Sequence, residues 1–271
     1  MGLMMAKKSF AVLALGIMVL LAMVARCARN PYGLEPERLG PKRKKLAHPV
    51  TAIADATNYL LYPYTDDSNY VIHIALPNHY IHPENTSKKL FSSYGMSAYM
   101  YYPGLNGKFH PENANLPQCN GYCNGYVSAS IEPNPRNAQA IMRDRLEYFS
   151  RARQSKDPAL VFEDLEPELG FDERLMVKYP IANRQNPSET STKILFIKRE
   201  KDGALKYVFE CSPNTPSPAC SVMFNLSSRP ELLVEISFGM YLMTDWENLI
   251  RSVDAKITSW GAISKIETVA Q

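Results

Sequence analysis

All five histidines of the chain fall between residues 48 and 110, and two of them open the same tetrapeptide, His82-Pro83-Glu84-Asn85 and His110-Pro111-Glu112-Asn113. With His73 and His79 close by, two imidazoles and two carboxylates are available to converge on a metal ion of the zinc type, as in a metal-dependent hydrolase. The spacing matches no ligand pattern, and His-Pro-Glu-Asn is also a natural turn, because proline fixes φ and asparagine tolerates a left-handed backbone. The turn is the expectation. No Gly-x-Ser-x-Gly elbow, phosphate-binding glycine loop, His-Glu-x-x-His pair or dinucleotide fingerprint occurs, and in Gly95-Met96-Ser97 the second glycine of an elbow is replaced by Tyr99. We therefore read no catalytic residue, no metal and no cofactor from the chain. Tyr99, Tyr101 and Tyr102, close together in one strand, can form a binding face or simply pack a sheet.

The cysteines carry the other chemistry. Cys211 and Cys220 flank the loop SPNTPSPA, whose three prolines forbid a ladder, and the strand-forming runs LKYVFEC (205–211) and CSVMFNL (220–226) lie on either side. This is a hairpin that brings the two thiols within bonding distance. Cys119 and Cys123 are separated by three residues rather than the two of a redox or zinc pair, so a small disulfide loop is expected there. An even number of cysteines after Cys27 fits an oxidising compartment.

The elements around these residues follow from periodicity. Strands are expected at 58–64, 70–76, 97–102, 122–131, 175–179, 192–198, 205–211, 220–226 and 231–238, with a turn at Arg229 and Pro230. One helix is expected from Pro135 to about Arg153, capped by Asn134, with Ala138, Ile141, Met142, Leu146 and Phe149 as its buried stripe. A second starts at a capping box, Thr244-Asp245-Trp246-Glu247, buries Trp246, Leu249, Ile250, Val253, Ile257 and Trp260, and stops at Gly261. The fold class is α+β: a largely antiparallel β-sheet with two main amphipathic helices packed on it, following an N-terminal transmembrane anchor.

That anchor is the uncharged run of sixteen residues Phe10–Ala25 behind Lys7 and Lys8, the layout of an export signal. At about 24 Å it falls a little short of a hydrocarbon core, so flanking cations must snorkel. Arg26 spoils both a cleavage site and a lipid-attachment signal at Cys27, and the segment is expected to stay in place. The division is an anchor at 1–27, a basic tether at 28–49 and a folded domain at 50–271. PKRKK at 41–45 would by itself hold the tether in the cytoplasm, but the cysteine pairing argues for the opposite side. Residues 1–49 hold nine Lys and Arg against two acids, so of the overall charge of +3 the folded part retains a net −4, which argues against nucleic acid as a partner.

Charge is patterned within the domain. The first helix carries Arg136, Arg143, Arg145, Arg151 and Arg153 on its outer face, and from Asp157 to Glu173 seven acidic residues run without a lysine or arginine.

Five pieces taken together, the anchor, YVIHIALPNHYI (70–81), YYPGLNGKFHPEN (101–113), CSPNTPSPACSVMF (211–224) and the Trp246-x-x-Leu249-Ile250 helix, resemble membrane-anchored envelope proteins of Gram-negative bacteria encoded beside type VI secretion effectors. They are most similar to the immunity proteins of secreted lipases, over most of residues 50–260. The resemblance implies a periplasmic protein, anchored to the inner membrane, that binds a cognate secreted effector toxin 1:1 and neutralises it; the toxin would be a phospholipase. In that reading the partner-binding residues are the acidic Glu163, Asp164, Glu166, Glu168, Asp172 and Glu173, which steer association with a basic toxin surface. The competing readings are an envelope metal-binding hydrolase that uses the histidine-rich region 73–112, and a structural subunit of an envelope machine.

Overall fold

The structure, a computed structural model, describes residues 45–46, 48–63, 69–85, 90–116, 121–134, 136–154, 160–180, 190–260 and 263–269. In chain order the elements are β1 (Lys45–Leu46), β2 (Ala56–Leu61), β3 (Tyr70–Pro77), β4 (Leu90–Ser93), β5 (Met96–Tyr101), β6 (Asn106–Gly107), β7 (Tyr126–Pro133) and helix α1 (Ala138–Gln154). They continue with β8 (Val161–Leu165), β9 (Glu173–Pro180), β10 (Thr190–Arg199), β11 (Leu205–Ser212), β12 (Ala219–Leu226), β13 (Arg229–Gly239), helix α2 (Trp246–Thr258) and β14 (Ile263–Val269). The expected anchor and most of the tether lie outside the described residues, within which no helix is long and apolar enough to cross a membrane.

The hairpin and the strand after it set the architecture. β11, β12 and β13 pair in succession, and β13 then pairs with β7, far back in the chain, so a meander becomes the middle of a nine-stranded antiparallel sheet ordered β6-β5-β7-β13-β12-β11-β10-β9-β8. Among the described residues the remaining strands form a second sheet of five, β1-β14-β3-β2-β4, antiparallel except for β2 with β4. The single sheet expected from the sequence is thus corrected to two. β2 and β3 are buried on nearly every residue, the apolar Leu60, Leu61, Val71, Ile72 and Ile74 and the polar Thr57, Asn58 and His73 alike, as suits strands covered on both faces.

One main core lies between the sheets. Ala98, Val127, Ala129, Ile236, Phe209 and Phe196 of the large sheet meet Leu61, Ile72, Ile74 and Leu76 of the small one, and α2 adds its whole predicted stripe, Trp246, Leu249, Ile250, Val253, Ile257 and Trp260. Trp246 rests against Phe171, Tyr207 and Phe209, and its indole N–H donates to the carbonyl of Leu169 at 3.1 Å, so the ring is buried without a stranded donor. On the opposite face of the large sheet, Ala138 and Met142 of α1 pack on Ile197, Val208, Met223 and Leu233, with Ile141 and Leu146 at the margin. β13 therefore buries residues on both sides, not on one.

Three local expectations are corrected. The capping box does not form: Thr244 belongs to a 3₁₀ turn, Met240–Asp245, its hydroxyl donates back to the Tyr241 carbonyl at 3.4 Å, and Asp245 stands at the cap. Asn137, not Asn134, caps α1, its Oδ1 accepting the Ala140 N–H at 2.7 Å, while Asn134 makes the preceding turn by accepting from the Arg136 N–H. Arg229 and Pro230 are already in β13; the turn is Ser227-Ser228, where the Ser227 N–H and hydroxyl both donate to Asp254 of α2.

Candidate partner-binding face

The histidines are placed by ordinary structural contacts. His73 is buried in β3 with Nε2 3.0 Å from Asn58 Oδ1, and burial lowers its pKa. Both His-Pro-Glu-Asn segments turn, as the proline and asparagine suggest, into short 3₁₀ turns at Pro83–Asn85 and Pro111–Asn113, each histidine facing its own glutamate at 3.8 and 3.6 Å. His79 and His110 stack edge to face, their centroids 5.3 Å apart. Among the described residues no three His, Cys, Asp or Glu side chains are grouped to hold a metal ion.

Cys211 and Cys220 are disulfide-bonded, directly opposite one another in β11 and β12 with Cα atoms 4.0 Å apart, and both are buried in the main core. Cys123 is also disulfide-bonded, whereas Cys119 lies outside the described residues.

The acidic run occupies the far edge of the large sheet, on β8, its turn and the start of β9. Of the six carboxylates expected to bind the partner, four are engaged within the chain. Asp164 takes a two-pronged pair from Arg153 at 2.9 and 2.7 Å, Glu168 meets Arg174 at 2.8 Å, Asp172 accepts the Arg199 N–H at 2.6 Å, and Glu173 meets Arg199 at 2.6 Å. The bond from Arg153 holds Asp164 below its ordinary pKa, and the backbone bond from Arg199 does the same for Asp172. Glu163 and Glu166 have no ion-pair partner among the described residues. The arginines of α1 behave likewise: Arg136 pairs with Asp144, Arg145 with Glu210 and Arg153 with Asp164.

A second candidate surface lies elsewhere, on the outward face of β5, β7, β13 and β12. The register puts Ser97 opposite Ser130 and Ser130 opposite Glu235, and in the neighbouring row Tyr99 opposite Ser128, Ser128 opposite Ser237 and Ser237 opposite Ser221. Because side chains alternate across a strand, these residues must point away from the core that Ala98, Val127, Ala129 and Ile236 enter. Ser97 and Ser130 are exposed, and the other members are half-buried. α1 covers the neighbouring part of the face but stops at Met223 and Leu233.

Tyrosines build one wall of this shallow floor. Tyr99 stacks on Tyr126 at 6.3 Å between centroids, Tyr101 and Tyr122 lie 5.9 and 5.6 Å from the same ring, and the Lys108 ammonium sits 4.9 Å from its centre. Burial and the three neighbouring phenols raise the Tyr126 pKa, so this central phenol keeps its proton. Tyr102 does not join it: its hydroxyl donates to Asp245, and burial with that bond pushes its pKa to about 12. Beyond the other side of the floor lies α1, where Tyr148 is 60% exposed and a cavity of about 450 Å³ is lined by Ile141, Arg145, Phe149, Lys193 and Glu210 among others.

Two carboxylates set the polarity of the floor. Burial alone would raise Glu210, but Lys193 and Arg145, each at 2.8 Å, outweigh it and hold the group charged. Glu235 has no hydrogen bond or ion pair among the described residues, and burial, with Glu210 and Glu132 nearby, raises its pKa. The sequence reading noticed the tyrosines of β5 but not this face. The signal was the alternation in Tyr126–Pro133 and in Ser221, Glu235 and Ser237, and only the strand order shows that these positions converge.

No family model and no curated protein matches the chain. Among solved structures the fold is similar to that of Smlt3025, an immunity protein of the Stenotrophomonas maltophilia type IV secretion system, at 13% sequence identity over 80% of this chain and 99% of that one, with a TM-score of 0.46.

Proposed function

We propose that this chain is an immunity protein that binds and neutralises a secreted effector toxin, acting by occupation and not by catalysis. The observation that carries the binding half is the tyrosine- and serine-lined face of β5, β7, β13 and β12. Tyrosine supplies rigid, amphipathic contact area at low entropic cost and serine supplies adaptable hydrogen bonding, a combination enriched in the binding loops of antibodies. The effector half comes from the resemblance of the sequence runs at 70–81, 101–113 and 211–224 to immunity proteins encoded beside type VI effectors.

In this proposal the toxin is a periplasm-acting type VI effector of the phospholipase class, bound 1:1, and residues 10–25 hold the protein to the inner membrane. The Cys211–Cys220 disulfide supports an oxidising compartment. Glu163 and Glu166, on the opposite flank of the sheet, steer approach instead of forming the centre of the contact. The test is co-expression of the exported chain with the product of the adjoining gene, scoring protection and complex formation. Tyr99→Ala with Tyr126→Ala should abolish protection while leaving the fold intact by circular dichroism; the absence of any complex with the unaltered chain would sink the proposal.

A further inference from the structure

We infer that Glu235 is the docking point for a cationic side chain, an arginine or lysine, presented by the effector's surface. This rests on the immunity reading above and names the chemistry of the partner at that same face.

The geometry is specific to this residue. Glu235 lies in the row Ser97, Ser130, Glu235, Met223, and Met223 is already beneath α1, so Glu235 is the last open position before the helix. Glu132 flanks it diagonally, being two residues beyond Ser130 on the same side of β7, and among the described residues accepts only an amide N–H from Asn134 at 3.3 Å. The charged groups that face Glu235 from the packed elements are Arg145 of α1, Glu210 of β11, Lys193 of β10 and Glu132 of β7. Both cations already bond to Glu210. Glu235 and Glu132 therefore have no ion-pair partner among the described residues, the nearby Arg145 and Lys193 being spent on Glu210 and Lys108 lying over the Tyr126 ring.

The floor between Tyr99 and Glu235 is built of serines, and from β5 to β13 it spans two strand spacings, about 10 Å. A long side chain can lie along it with its head between the two glutamates. An anion would meet like charge there, and a wholly apolar occupant would strand Glu235 in a desolvated site. A basic protein segment alone satisfies the carboxylates and uses the tyrosine wall for its stem.

The proposal has a pH signature. A cation can be held only by the ionised carboxylate, and the free protein keeps Glu235 protonated to a higher pH than an ordinary glutamate. Affinity should therefore fall as pH drops through that raised value.

The test titrates the purified full chain in detergent with the purified product of the adjoining gene, over a series of pH values from acid to mildly alkaline. Glu235→Gln, nearly isosteric, should weaken binding about thirtyfold or more at the alkaline end and flatten the pH dependence, with Glu132→Gln giving a smaller loss. Unchanged melting behaviour of Glu132→Gln guards against a folding artefact. If both variants bind like the unaltered chain, the inference is wrong and the immunity reading stands; if the unaltered chain itself fails to bind, both fall.

Discussion

Arg145 of α1 donates to Glu210 of β11 at 2.8 Å, and Lys193 of β10 holds the other oxygen of the same carboxylate at 2.8 Å. One glutamate thus ties the helix to two strands at the edge of the open face. The side chain of Glu210 is 15% exposed, so water can replace a lost partner only in part.

Arg145→Ala is therefore expected to destabilise the protein by about 1–2 kcal/mol near neutral pH. The sign follows from linkage: the folded pKa of Glu210 lies below its ordinary 4.5, so the stabilisation is present above that value and is lost as pH falls through the depressed one. Urea melts at neutral pH and in acid check this. A gap between variant and parent that persisted unchanged in acid would contradict it.

Glu235 should behave in the opposite way. Its folded pKa is raised, so its ionised form opposes folding above the ordinary value of 4.5. Glu235→Gln should raise the melting temperature at neutral pH, with the advantage disappearing in acid. A protein that is more stable and yet protects less well would separate a residue kept for binding from one kept for folding.

The Cys211–Cys220 bridge closes a loop with a sequence separation of nine, for which chain entropy gives about 2–3 kcal/mol. Cys211→Ala with Cys220→Ala should lower stability by that amount, and reductant should then have no further effect through this hairpin. Denaturant titration of the parent and the double variant, each with and without reductant, measures it.

Reversing the acidic run should split into two outcomes. Glu163→Lys with Glu166→Lys removes carboxylates that have no ion-pair partner among the described residues, and is expected to slow association with the effector, most visibly at low salt, without moving the melting point. Asp164→Lys with Glu173→Lys breaks the contacts with Arg153 and Arg199 and should lower stability. Stopped-flow association and thermal melts of the two pairs distinguish steering from scaffolding.

What could be read from the sequence was what neighbours along the chain determine. The hairpin, the stripe of α2 and the two His-Pro-Glu-Asn turns depend on residues within a dozen positions of one another, and all are present as expected. The capping box failed because the 3₁₀ turn Met240–Asp245 takes in Thr244 and puts Asp245 at the helix start, an offset that spacing alone does not show. The acidic run seemed free because Arg153, Arg174 and Arg199 lie outside it in sequence and beside it in space. The open face was missed for the same reason, since serines on separate strands look like ordinary solvent-facing positions until β7 is paired with β13.

That pairing also joins segments of the chain that are made far apart in time. β5 and β7 precede α1, while β12 and β13 are among the last strands to be made, so half of the open face waits for its other half through most of synthesis. Long-range pairings of this kind form slowly, because the loop must close before any contact rewards it. A chain exported in an unfolded state would therefore reach its destination with no competent surface. Binding competence would appear late and all at once, when β13 enters between β7 and β12.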